Sequence, residues 1–268
     1  MPHVEVNGTS LFYERTGDGP PLVFLHGLGG HGDVWADQAA RFADRHTCVR
    51  YDRRGHSRSG HGDGPITHAL HADDAAGLIE ALGLAPCVVV ASSLGAAITV
   101  DLVLRNRHLV RAAVLSEPPL FAIDADAGQA VMADIRPVVE EAMGSGGPEA
   151  FIDAFYSVMC PGLWATIDEA QKDRYRANAG IGLEDLQSPP LSVTSDDLSS
   201  IDIPVLVLSG DRSHKGLRSV AHRLSAALAD ARFVELEDCG HVTYAEQPEA
   251  FAAAVEVFLG ELERRAVT

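Results

Sequence analysis

Residues 87–97 read CVVVASSLGAA and change character midway. Cys87 to Val90 form a short, mostly β-branched apolar run, the pattern of a strand covered on both faces as in a parallel sheet. From Leu94 onward LGAAITVDLVL has helical spacing, which leaves Ser93 on a sharp turn between strand and helix. Ala91 and Gly95, two residues to either side of Ser93, keep that turn free of large side chains. A serine so placed is a candidate nucleophile. A serine-rich strand end without chemistry is the plain alternative, and the rest of the chain decides between them.

The 268 residues, 46% of them hydrophobic, suffice for one large α/β core with an insertion. With 21 basic against 38 acidic residues the net charge is −17, which weighs against nucleic acid or an anionic membrane as partner. Cys48, Cys87, Cys160 and Cys239 lie far apart without metal-ligand spacing, so free thiols in a reducing compartment are expected. The first residues lack a basic start followed by an apolar leader core, and no apolar run reaches bilayer length. The expectation is a soluble, cytoplasmic protein with a small-molecule substrate, a homodimer being left open.

Apolar alternation around Asn7-Gly8 predicts a hairpin, and Leu22 to Leu25 the next buried strand. That strand runs into His26-Gly27-Leu28-Gly29-Gly30. Gly27, Gly29 and Gly32 also spell G-x-G-x-x-G after a strand, and Asp52 ends the following strand, which is the pattern of a dinucleotide site. Two features weigh against it. His26 stands before the first glycine, and Asp52 opens Asp52-Arg53-Arg54-Gly55-His56-Ser57-Arg58-Ser59, which is similar to a structural turn of the α/β-hydrolase family; the resemblance implies that Asp52 organises the loop instead of holding a ribose. His56, His61, His68 and His71 crowd the next segment; without a carboxylate at ligand spacing they are read as solvated loop and surface residues, not a metal site. A helix from about Asp73 ends at Gly83.

Arg111 to Ser116 predicts another buried strand, ending at Glu117-Pro118-Pro119 and leaving a carboxylate at the sheet's carboxyl edge. Phe121 to Asp197 has apolar residues only at helical spacing, broken at Gly144 to Pro148 and at Cys160 to Gly162, and Ser188 to Ser200 reads as a polar return linker. Ile203 to Leu208 and Ala231 to Glu237 are the last strands. The first exits through Ser209-Gly210-Asp211-Arg212-Ser213, the second through Asp238-Cys239-Gly240-His241. Phe251, Val255, Phe258 and Leu262 then mark a final helix.

Taken together, the elbow around Ser93, the His26-Gly27 loop, the Asp52 to Ser59 stretch (which has Ser57 in place of a glycine) and the His241 loop resemble the α/β-hydrolase family over nearly the whole chain. The resemblance implies a mostly parallel α/β sheet flanked by helices, with residues 1–120 and 198–268 as core and residues 121–197 as an inserted helical cap. It also implies Ser93 as nucleophile, His241 as base, and the amides of Leu28 and Leu94 as oxyanion donors, with neither cofactor nor metal. In most of the family the acid stands where this chain has Ser213. Asp211 and Glu117 are the two candidates, and Glu117 is preferred because a minority, including the zearalenone lactonase group, is similar in placing the acid there. Phe121, Tyr156, Met159 and Trp164 are candidate substrate contacts from the cap, though such residues also serve as a cap's own core. The implied reaction is hydrolysis of an ester or lactone through an acyl-enzyme. Carbon–carbon bond hydrolysis by the same triad, and a non-catalytic small-molecule receptor, are the alternatives.

Overall fold

Asn7 and Gly8 take φ values of 45° and 73°, the left-handed pair that a two-residue hairpin turn of this type requires. They join β1 (His3–Val6) to β2 (Thr9–Thr16), the first of eight strands in a computed structural model that describes residues 2–267. The others are β3 (Pro21–Leu25), β4 (Thr47–Tyr51), β5 (Cys87–Ser92), β6 (Val110–Ser116), β7 (Val205–Gly210) and β8 (Ala231–Leu236), in the spatial order β1-β2-β4-β3-β5-β6-β7-β8. β2 meets both β1 and β4 antiparallel; every pairing from β4 across to β8 is parallel.

All six residues of β5 are buried, as a continuous apolar run at the middle of a covered parallel sheet should be. Each such valine stabilises the fold by about 1.5–3 kcal/mol relative to leaving it exposed. The flanking helices are α1 (Ala36–Phe42), α2 (His68–Ala81), α3 (Leu94–Arg105), and, after an insertion, α9 (Lys215–Ala227), the short α10 (Thr243–Glu246) and α11 (Pro248–Val267). Phe251, Val255, Phe258 and Leu262 of α11 are buried at helical spacing. α2 starts earlier than the apolar pattern suggests, because the Thr67 side chain accepts the Leu70 N–H and caps it.

Between β6 and β7 the described residues are helical only: α4 (Ala125–Met159), α5 (Pro161–Thr166), α6 (Glu169–Arg176), α7 (Ala179–Gln187) and α8 (Ser195–Ser199). α4 breaks where the sequence says it should, at Gly147 with φ 70° and ψ −154°, just before Pro148. The stretch 188–200 is more than a linker. Thr194 and Asp197 form a reciprocal cap that starts α8, and Ser188, Pro190, Leu191 and Ser192 line a cavity.

Chain order reverses between β3 and β5, which lie side by side while their successors lead to opposite edges of the sheet. Ligand sites of open α/β sheets form at the carboxyl ends of strands at such a switch point. Here that point carries His26-Gly27 after β3 and Ser93 after β5.

Candidate active site

Ser93 sits at φ 53° and ψ −126°, a conformation that costs a residue with a side chain about 1–3 kcal/mol. The turn is possible because the neighbouring backbone comes very close: a Cβ on Gly95 would lie 2.6 Å from the His26 carbonyl oxygen and 2.7 Å from that of Leu25. A Cβ on Gly27 would lie 3.0 Å from Ser93 Cβ, so the loop after β3 packs directly on the elbow. Leu94 is the first residue of α3, and its N–H therefore has no acceptor within the helix. Leu28 and Leu94 both border the cavity that opens on Ser93.

The loop after β8 brings His241 to the same place. Its Nδ1 lies 2.7 Å from Glu117 Oε2, and its Nε2 lies 3.0 Å from Ser93 Oγ. A carboxylate accepts only, so the proton belongs on Nδ1, and Nε2 is free to accept from the serine hydroxyl. Glu117 is wholly buried, with φ 48°, and His241 is 5% exposed. Glu117 Oε1 accepts the Ser209 hydroxyl at 2.7 Å and the Gly210 N–H at 2.9 Å, and Oε2 also accepts the Ser213 hydroxyl. Four donors thus hold one carboxylate, which is how a buried charge is tolerated.

Asp211 is elsewhere: its Oδ1 accepts the Cys239 N–H at 3.0 Å, a contact that holds its carboxyl below the ordinary range. It shapes the histidine loop. Ser213, at the position where an acid is usual, instead donates to Glu117. Glu246 was not singled out by sequence. Its two oxygens accept the N–H groups of Gly240 and Val242, at 2.9 and 3.1 Å, gripping the loop on both sides of His241.

A cavity of about 930 Å³ opens onto Ser93 and His241. Phe121, Met159, Phe155, Val131 and Ile135 give its wall a mainly apolar character, and Arg136 is the only lysine or arginine among the described lining residues. Phe121 and Met159 thus border this cavity. Tyr156 borders a smaller recess beside Ser93, but its hydroxyl donates to the Leu28 carbonyl at 2.7 Å. Trp164 is not among the described residues of either wall: it stacks on Tyr156 with ring centroids 4.9 Å apart and packs against Tyr175. An indole that buries both itself and a neighbouring ring belongs to the insertion's own core.

The histidine segment also differs from expectation. His61 is exposed as expected and His68 half-buried, whereas His56 and His71 are buried, because α7 covers them with Asp185. His71 Nε2 donates to Asp185 Oδ1 at 2.9 Å, and the guanidinium of Arg53 meets Asp185 Oδ2 at 2.7 Å. His71 is pushed down to about 3, by burial first and the Arg53 charge second, and stays neutral. Burial opposes ionisation of Asp185, but the Arg53 charge and the two histidines outweigh it and hold the carboxyl well below its usual range. Among the described residues no group of His, Cys, Asp and Glu is arranged to hold a metal ion.

Asp52 acts as a loop organiser: Oδ1 accepts the Gly32 N–H at 2.6 Å, and Oδ2 accepts the Arg58 N–H at 3.1 Å. Both its oxygens are thus engaged where a ribose would need them. Ser57 has φ 46°, which explains why a glycine is usual there. All four cysteines are unpaired and buried. No described helix is long and apolar enough to cross a membrane.

Residues 22–254 match the alpha/beta hydrolase family. A non-heme haloperoxidase of Rhodococcus erythropolis is 30% identical, the match covering 79% of this chain and 81% of that protein. The enol-lactonase of Burkholderia xenovorans LB400 superposes with a TM-score of 0.74 at 27% identity, over 97% of this chain and 100% of that one. An alpha/beta hydrolase of Sphaerobacter thermophilus DSM 20745 gives a TM-score of 0.79 at 25% identity, over 96% and 100% of the two chains.

Proposed function

The chain belongs to the alpha/beta hydrolase family, and from that premise we propose that it is a serine hydrolase that opens an ester or lactone of a small, largely apolar molecule. The observation that carries this reading is the unbroken relay from Glu117 through His241 to Ser93 Oγ, at 2.7 and 3.0 Å, at the floor of an apolar cavity. His241 Nε2 takes the hydroxyl proton as Ser93 attacks the carbonyl carbon. Glu117 holds the ring in the tautomer that can accept and stabilises the imidazolium that forms. The N–H groups of Leu28 and Leu94 face the developing oxyanion, and one such donor is worth on the order of 10²–10³ in rate. His241 then protonates the leaving alkoxide, and water repeats the sequence on the acyl-enzyme. These side chains and amides supply every proton and charge the reaction needs, so the reading calls for no cofactor.

In this reading residues 121–197 form a cap that selects the substrate over a core of residues 1–120 and 198–268. Phe121 and Met159 are substrate contacts, and the resemblance to an enol-lactonase supports a cyclic ester as one substrate form. The test is labelling of the purified protein with a fluorophosphonate, followed by mass mapping. One adduct per chain, on Ser93, is expected. A folded protein that takes up no label would rule the reading out.

A further inference from the structure

Four successive carbonyl groups of the loop after β3 are held by side chains, and the helical insertion is involved in each case. The Tyr156 hydroxyl donates to Leu28 O at 2.7 Å, and Asn178 Nδ2 donates to Gly29 O at 3.2 Å and Gly30 O at 2.7 Å. The first carbonyl, that of Gly27, accepts from Arg53 Nη2 at 3.1 Å, and the same guanidinium is gripped by Asp185 of α7 at 2.7 and 3.4 Å. Arg53 and Asp185 are each 1% exposed.

The Gly27 carbonyl matters most because it shares a peptide unit with the Leu28 N–H. A trans peptide is planar, with its C=O and N–H pointing in opposite directions, so whatever fixes the carbonyl also fixes the amide hydrogen. Glycine at position 27 leaves this plane free to rotate unless something anchors it. His26 Nδ1 and the Gly30 N–H also donate to this oxygen, at 2.9 and 3.2 Å, but only Arg53 brings a positive charge. A cation on the carbonyl draws electron density through the amide and makes its N–H a stronger donor. Stability alone is a weak reason to keep such a pair, since apolar residues of similar volume often replace a buried ion pair without loss.

Resting on the serine-hydrolase reading above, we propose that the Arg53–Asp185 pair is a positioning device for the oxyanion site. Asp185 aims the guanidinium at Gly27 O, and this orients and polarises the peptide whose N–H meets the oxyanion. The insertion then does more than cover the site: it sets the aim of one of its two oxyanion donors. Arg53 touches no reacting atom and is a positioning residue.

The test compares wild type with the double variant Arg53→Met/Asp185→Leu, which removes both charges together, and with Arg53→Gln, which removes the positive charge and lacks the outer guanidinium nitrogen that meets both Gly27 O and Asp185. Turnover and KM on 4-nitrophenyl acetate are measured alongside the inhibition constant of an arylboronic acid, whose tetrahedral adduct on Ser93 mimics the oxyanion. Expected are a fall in kcat of about 10- to 100-fold, a KM within about threefold, and boronate binding weakened in step with kcat, since a misaimed donor costs somewhat less than an absent one. A purely structural pair would lower the melting temperature and leave the folded variants with wild-type kcat and boronate affinity. That result, in either variant, overturns the inference, and so does failure of both variants to fold. If wild type itself neither labels with fluorophosphonate nor binds boronate, the serine-hydrolase reading fails instead. A labelled, active wild type beside unaffected variants sinks only the present inference.

Discussion

Glu117 and Asp185 are both buried carboxylates bonded to a histidine ring, Glu117 Oε2 to His241 at 2.7 Å and Asp185 Oδ1 to His71 at 2.9 Å. Chain placement is similar too: each carboxylate reaches its histidine across more than a hundred residues of sequence. The clusters part company at two points. Among the described residues Glu117 has no arginine or lysine partner, only hydroxyl and amide donors besides His241, so its charge is available to an imidazolium. Asp185 is already neutralised by Arg53. The far nitrogen of His241 faces Ser93 Oγ at the cavity, whereas the far nitrogen of His71 is buried without a partner. A carboxylate–histidine pair is therefore not in itself a catalytic feature. What the second nitrogen faces, and whether the carboxylate is still uncompensated, decide the matter.

The sharpest way to break this comparison is to make the same substitution in both rings. His241→Gln should lower turnover by about 10⁴–10⁶ with the melting temperature little changed, since it removes the base from a unit that acts together. His71→Gln should leave turnover within about fivefold and lower stability instead. Comparable losses of activity in the two folded variants would show that the distinction drawn here is wrong.

A smaller effect comes from pH. His71, held down to about 3, stays neutral in the folded chain at pH values where an unfolded histidine near 6.5 takes up a proton; His26 and His56, shifted in the same direction chiefly by burial, behave alike. Their folded values lie below the unfolded one, so their contribution is complete above about pH 6.5 and is lost as pH falls, for His71 progressively down to about 3. The slope is at most about 1.4 kcal/mol per pH unit for each group. Urea unfolding midpoints at about pH 7 and pH 5 should show the lower stability in acid, with a shallower slope in His71→Gln. Equal midpoints would contradict the burial argument.

The smallest expected effect concerns the cavity wall. Met159 borders the cavity and Trp164 stands behind Tyr156, so Met159→Ala should reorder a panel of esters of different acyl size by a few-fold. Trp164→Ala should lower stability by about 3–5 kcal/mol and affect all esters alike. A reordering caused by Trp164→Ala would place the indole in the substrate's path.

These contrasts follow what a sequence can carry. The elbow is legible because its requirements are local: an apolar strand, a serine, and glycine where Leu25 and His26 come within 3 Å of a Cβ. His241 and Glu117 are legible as polar groups at the ends of buried strands, and the strands themselves and the kink at Gly147 follow from apolar runs and from glycine and proline. Asp185 is not legible. It is one acid in a helical stretch, and only folding brings it onto Arg53, His56 and His71, which is why two histidines expected at the surface are buried. Ser209 escapes notice for the same reason, since its partner Glu117 lies far away in the chain; Glu246 is close in sequence to Gly240 and Val242, but a carboxylate that accepts backbone N–H groups leaves no residue pattern to read. Trp164 has the right chemistry for a substrate contact, and composition cannot say which side of Tyr156 it occupies.

The claim on which the account rests is that Glu117, not Asp211, orients His241, and a pair of amide variants tests it most directly. Replacing a triad acid by its amide costs roughly 10⁴ in turnover, about 5–6 kcal/mol of transition-state stabilisation. Glu117→Gln should lose activity on that scale while keeping its fold, and Asp211→Asn should lose about tenfold or less, through loosening of the loop at Cys239. Turnover and melting temperature of both variants, measured on one ester, decide the point. An active Glu117→Gln beside an inactive, folded Asp211→Asn would contradict the account.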